Sequence, residues 1–191
     1  YRKKNHPYIT YRQAQEFKER FRFPATVSVS TFASPVATVK YKSKKTNPNI
    51  TVIGSDENYL ITAGFEIEKG RNIAVTDILL NRNIVVIGNG IARKLFKGGE
   101  DPLDKQISIG NGRYIVAGVL VEKGESFSSS DNMCIIPYTN VRQYFPVSRR
   151  NYNISVSPES KELYEAAIGY SEGLFRIVRD LNVRDETDFN I

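Results

Sequence analysis

Gly70-Arg71, then Asp77, the strand Ile84-Val85-Val86-Ile87-Gly88, Ala92, Leu95-Phe96, Asp101-Pro102-Leu103, Ile107-Ser108-Ile109, Tyr114-Ile115-Val116-Ala117-Gly118-Val119 and Ile135-Ile136-Pro137 decide how this chain reads. Ile84 to Ile87 is an unbroken apolar run, the mark of a strand buried on both faces. The segment from Gly90 to Phe96 follows with helical spacing and stops at Gly98-Gly99. Gln106 to Ile109 and Tyr114 to Val121 flank Gly110-Asn111-Gly112, a strong hairpin turn. Met133 to Ile136 is a further strand, closed by Pro137, and Tyr138 to Tyr144 a short helix. Strands thus alternate irregularly with short helices, which favours an α+β fold with mixed sheets.

Outward from this core, Thr10 to Arg22 predicts a helix capped by Thr10, with Tyr11, Phe17 and Phe21 near one face, and Pro24 beyond its end. Thr26 to Phe32 alternates as a half-buried strand. Val36 to Tyr41 and Ile50 to Ile53 are expected to form a hairpin with a lysine-rich tip. Glu57 to Ala63 predicts a short helix ending at Gly64, Gly70-Arg71 a turn, and Thr76 to Asn81 a helix capped by Thr76. Glu122 to Asn132, with four serines, reads as a mobile loop. Beyond Asn151 to Val156, a strand, the last helix is expected to use Ser157 as cap and Pro158 as its first residue. Leu163, Ala167, Tyr170, Leu174, Ile177 and Leu181 form its apolar stripe, with Gly169 and Gly173 permitting close approach to a sheet.

With 191 residues the chain is long enough for one large domain or two small lobes. Its hydrophobic fraction of 40% and charged fraction of 25% are those of a folded protein, not a disordered one. The longest apolar run, Tyr114 to Val121, is far short of the roughly 18 residues that span a bilayer. No basic n-region precedes an apolar stretch, so no signal peptide is expected. The chain starts at Tyr1 and its only methionine is Met133, so it is expected to be a segment of a longer polypeptide. The net charge of +6 concentrates near Arg2 to Arg22 and Lys40 to Lys45. Aromatic residues among the first of these clusters lie at helical spacing, which suits a buried helix face rather than a stacking platform for nucleic acid. The single Cys134, in an apolar run, excludes an intrachain disulfide.

Chemistry-bearing patterns are sparse. Gly88-Asn89-Gly90 opens a helix after a strand, but Arg93 stands where a dinucleotide fingerprint needs its third glycine. No GxxxxGK[ST] phosphate loop occurs, and His6 is the only histidine. The carboxylates Asp56-Glu57, Glu66, Glu68, Glu100-Asp101 and Asp185-Glu186-Asp188 include no pair that sequence alone selects, and most are expected on the surface. No catalytic residue, cofactor site or metal site is assigned, and the chain is expected not to be an enzyme.

The order and spacing of the stretch quoted above resembles the MacB-like periplasmic core domain of ABC transporter permeases, the group with FtsX-like membrane regions. The resembling structural positions are Gly70, Arg71, Asp77, Gly88, Ala92, Phe96, Asp101, Pro102, Gly118 and Pro137. The family usually places glycine after Asp-Pro-Leu where this chain has Asp104, so that turn is expected to differ. The resemblance implies an outer mixed α/β porter-like lobe formed by both chain ends, roughly 1–50 and 133–191. A strand-rich lobe, roughly 51–132, would be inserted into it. It also implies an extracytoplasmic domain at the periplasmic face of the bacterial inner membrane, joined to its own transmembrane helices. ATP would bind a separate nucleotide-binding domain, and the domain would move against a second copy of the permease. The motion would pass to substrate or to a periplasmic adaptor and outer-membrane channel. Lys44, Lys45 and Phe127 are candidate partner contacts, because binding residues concentrate on such tips and loops. A ligand-binding or sensory module is the alternative reading.

Overall fold

The computed structural model describes residues 7–123 and 130–191. Its strands are β1 (Ala25–Ala37), β2 (Val39–Tyr41), β3 (Lys44–Lys45), β4 (Ile50–Ser55), β5 (Ile67–Gly70), β6 (Ile84–Ile87), β7 (Gln106–Ile109), β8 (Gly112–Leu120), β9 (Met133–Pro137) and β10 (Asn153–Pro158). The helices are α1 (Tyr11–Arg20), α2 (Tyr59–Ala63), α3 (Val75–Leu79), α4 (Asn89–Leu95), α5 (Tyr138–Tyr144) and α6 (Tyr164–Val178). Nine strands follow one hydrogen-bonded path, β10-β1-β4-β9-β6-β8-β7-β2-β3, and β5 pairs separately with β8. The β4–β9 and β6–β8 pairs are parallel and every other pair is antiparallel. The fold is therefore α+β around a mixed sheet.

The lobe boundaries read from sequence, 50/51 and 132/133, fall at the first residues of β4 and β9. Those two strands pair side by side near the middle of the path. Beneath them lies the largest core, in which Val52, Val85, Ile87, Tyr114, Val116, Cys134 and Ile136 are all fully buried. A smaller aromatic core (Phe17, Phe21, Val27, Leu174, Phe175, Val178 and Phe189) is built wholly from the two ends of the chain.

Several local expectations change. One long β1 replaces the first predicted strand and runs to Ala37, past two irregular steps in its pairing with β4. The tight hairpin is β2–β3, and β2 pairs onward with β7 rather than with β4. Gly70 ends the edge strand β5 instead of sitting in a free turn. Thr76 does not cap α3; the Asp77 carboxylate does that work by accepting from the Ala74 amide at 2.8 Å. Ser157 and Pro158 belong to β10, paired with Thr26 and Ala25, because cross-strand pairing there outcompetes a proline-started helix. The helix starts six residues later, and Gly169 and Gly173 face open space rather than a sheet. Its buried side is Ala167, Ser171, Leu174, Phe175 and Val178, leaving Ile177 exposed. Thr10 caps α1 as expected, its hydroxyl accepting from the Gln13 amide at 3.2 Å. Asp104 stands at φ 61°, so the turn after Leu103 keeps the left-handed backbone that glycine favours, a conformation aspartate tolerates.

Candidate functional site

Of the positions singled out in the sequence, Gly70, Arg71, Asp77 and Gly118 meet at one node, where β5 and the start of α3 lie against β8. Arg71 forks onto Asp77 with Nη1 at 2.6 Å from one carboxylate oxygen and Nη2 at 3.2 Å from the other. Arg82 adds a more distant charge at 3.5 Å. Asp77 is fully buried. Burial alone would raise its carboxyl, but the Arg71 and Ala74 hydrogen bonds and the Arg82 charge hold it below the ordinary carboxylate range. Arg71 is tied in turn by its own amide to the Ala117 carbonyl at 2.9 Å.

Backbones cross here at distances only glycine permits. Gly70 has φ 76°, and a Cβ on it would overlap the Ala117 carbonyl oxygen and lie 2.7 Å from Leu103 Cδ2. A Cβ on Gly118 would overlap the Arg71 carbonyl oxygen, and one on Gly88 the carbonyls of Ser130 and Asp131. Asp101 accepts from the Leu103 amide at 3.1 Å and so fixes the turn, with Pro102 buried against the sheet. Ala92 packs against the main core, and Phe96 stacks on Tyr41 with ring centroids 4.4 Å apart. Pro137, the end of β9, pairs with Ser55.

Lys44 and Lys45 form β3 at the far end of the sheet path, well removed from this node in topology. Beside them the Tyr41 hydroxyl donates to Glu100 at 2.6 Å, and Lys42 reaches the same carboxylate at 3.0 Å. Phe127 lies outside the described residues.

One polar junction was not legible in the sequence. Asp56, one of the carboxylates among which the sequence selects none, is buried, and accepts from the Val29 amide at 2.8 Å and from Lys18 at 2.7 Å. Lys18 also reaches Glu57 at 2.6 Å. Desolvation pushes the Asp56 carboxyl up, against the pull of Lys18. The pairing clamps α1 to the turn after β4, across a separation that no local pattern reports. None of these groups is arranged as a nucleophile with a base, and among the described residues no cluster of three metal-ligating side chains occurs.

The first described residues meet the C-terminal part of the chain beside β10. Arg179 donates to the Pro7 carbonyl at 2.8 Å, and the Ile9 amide to Asn151 at 2.8 Å. Ile9 and Ile191 line the same apolar cavity, of about 300 Å3, with Phe17, Phe175 and Phe189. No helix among the described residues is long and apolar enough to cross a membrane.

Residues 2–170 match the family model of the MacB-like periplasmic core domain. The macrolide export ATP-binding/permease protein MacB of Hahella chejuensis is 26% identical over 141 residues, 73% of this chain and 21% of that protein. MacB 2 of Yersinia pestis bv. Antiqua is 32% identical over 113 residues, 59% of this chain and 16% of that protein. The chain thus spans about a fifth of the length of these curated relatives. Among solved structures, the periplasmic region of MacB from Actinobacillus actinomycetemcomitans superposes with a TM-score of 0.74 at 17% identity, covering 92% of this chain and 77% of that one. The extracellular domain of the ABC-type transporter YknZ from Gram-positive bacteria gives 0.69 at 22% identity, covering 92% and 86%. The chain belongs to the MacB-like periplasmic core domain family.

Proposed function

We propose that this chain, as a MacB-like periplasmic core domain, is the extracytoplasmic part of an ABC transporter permease at the periplasmic face of the bacterial inner membrane. Its work is mechanical. ATP hydrolysis on a separate nucleotide-binding domain moves it, through its own transmembrane helices, against a second copy. The motion then reaches the substrate or a periplasmic adaptor and outer-membrane channel, in efflux, export or lipoprotein release. The domain itself makes and breaks no bonds and holds no cofactor.

The observation that carries this reading is the meeting of the first described residues, Pro7 and Ile9, with the C-terminal segment at one edge of a sheet that continues, strand by strand, to the β2–β3 hairpin. Displacing that edge displaces the whole sheet, because packed interiors transmit strain instead of absorbing it. The division into an outer part (1–50 and 133–191) and an inserted part (51–132) is then one of labour. The terminal aromatic core draws only on the outer part, while the hydrogen bonding is shared.

Photo-crosslinking residues at Lys44 and at Lys45, in the full-length permease in membranes, tests the proposal. Crosslinks to a periplasmic protein or to the second copy should change in yield between nucleotide-free and ATP-bound states. Identical yields in every nucleotide state would overturn it.

The apolar cavity between α6, α1 and β10 favours a second reading, a module that binds an apolar ligand. Native mass spectrometry of the purified domain should then reveal a retained lipid or peptide. A bare protein whose melt does not move across a lipid and peptide panel would count against it.

A further inference from the structure

Between the start of α1, α5 and the segment 145–152 lies a concave pocket of about 400 Å3. Three arginines from these three places line it: Arg12, Arg142 and Arg150. Tyr11 and Tyr152 supply aromatic walls, and no aspartate or glutamate is among the lining residues. Elsewhere in the molecule arginines meet carboxylates, as Arg71 meets Asp77 and Arg93 meets Glu122. Here none does, among the described residues.

Two of the guanidiniums are positioned without being neutralised. Arg150 donates to the carbonyls of Phe32, at 2.8 Å, and of Phe145, and it is only partly exposed. Desolvation lowers its pKa, the sign of a charge held away from water without a counter-ion. Arg142 stacks on Tyr11, with Cζ at 5.2 Å from the ring centroid, which fixes the fork while leaving its N–H groups unused. Arg12 stands in the first turn of α1, exposed. There the capping box satisfies the Gln13 amide and leaves the amides of Tyr11 and Arg12 as the helix's free donors. The frame is stiff, because the Tyr152 amide donates to the Ile9 carbonyl at 3.0 Å and Thr31 donates to the Asn151 carbonyl at 2.8 Å.

Concentrating three cations in one concavity is unfavourable unless an anion joins them. Guanidinium forks match carboxylate and phosphate alike. Donors arriving from three separate elements suit a tetrahedral oxyanion better than a planar carboxylate, which offers only two oxygens. We propose that this pocket binds a phosphate-bearing anion, with Arg12, Arg142 and Arg150 as donors. The inference stands on the pocket alone and does not depend on the mechanical reading. A phospholipid headgroup and a free phosphate share this chemistry, and experiment separates them.

The 191-residue chain and its Arg12→Gln and Arg142→Gln variants are titrated with inorganic phosphate and glycerol 3-phosphate, following backbone amide shifts. In parallel they are sedimented with phosphatidylcholine vesicles with and without phosphatidylglycerol. Arg150 is left intact because its carbonyl contacts hold the fold. Arg113→Gln, an exposed charge on β8, is the charge-matched control. Binding is expected to weaken about tenfold in Arg142→Gln, as when one charge-assisted contact is lost, but not in Arg113→Gln. It should also weaken as salt is added. Loss confined to the vesicle arm identifies a headgroup; loss in the phosphate titration identifies a soluble anion. No binding of either probe, or equal weakening in the control and in Arg142→Gln, overturns the proposal.

Discussion

Glycine plays opposite parts in two regions of this molecule. In the node joining β5, α3 and β8, Gly70 and Gly118 let two backbones come closer than any side chain allows, and the Arg71–Asp77 pair locks the crossing. In α6, Gly169 and Gly173 lie on the outer face with nothing near them. The node is held by clearance and charge over a few residues of chain. The corner where the first described residues meet the C-terminal segment is held by edge-to-face aromatics such as Phe175–Phe189, centroids 4.7 Å apart, around an apolar cavity. The first arrangement tolerates almost no change of shape. The second is less tightly constrained, since no backbone there crosses another at glycine-only distance.

Alanine at Gly70 should break the node most severely. A left-handed backbone and a blocked carbonyl together cost about 2–4 kcal/mol, measured by denaturant unfolding, with β5 amides losing hydrogen-exchange protection first. A stability near wild type would show that the close approach is not what holds β5 to β8. Next in size is Asp77→Asn, which removes a charged cap and weakens the Arg71 fork, for a loss of about 2 kcal/mol at neutral pH.

That loss has a defined pH dependence. The folded-state pKa of Asp77 lies below that of the unfolded chain, so its stabilisation is complete above about pH 4 and fades as pH falls through the folded value. Wild type and Asp77→Asn should therefore converge in stability on acidification below about pH 4; a constant gap between them contradicts the assignment.

In the terminal corner the signs reverse. Gly169→Ala should stabilise by about 0.5–1 kcal/mol, since α6 gains helix propensity without a clash. If it destabilises, the outer face of α6 is covered by something. Smallest is Ser171→Ala. The buried Ser171 hydroxyl has no hydrogen-bond partner among the described residues, so its removal should raise stability by about 0.5 kcal/mol in thermal melts. A loss instead would indicate a ligand or water bonded to that hydroxyl in the cavity.

The same division separates what could be read in advance. The caps and turns of short range were legible: Thr10 on α1, Gly64 after α2, the Gly110 hairpin, and the close sequence spacing of Gly70, Arg71 and Asp77. The start of α6 was misplaced because Ser157-Pro158 carries a helix-start signal that pairing with β1 overrides. The burial of Asp56 has no local signal, because its partner Lys18 lies in a distant helix. The convergence of the three pocket arginines has no local signal, because Arg12 lies about 130 residues before Arg142 and Arg150.

What the sequence by itself determined is the approximate place of most helices and strands and their short-range caps and turns, since periodicity, capping and turn residues act over a few bonds. Only the tertiary structure decided the strand order, the burial of Asp56, the meeting of Pro7 and Ile9 with the C-terminal segment and the convergence of Arg12, Arg142 and Arg150. Those depend on which surfaces exclude water together, a property of the folded whole that no single segment carries.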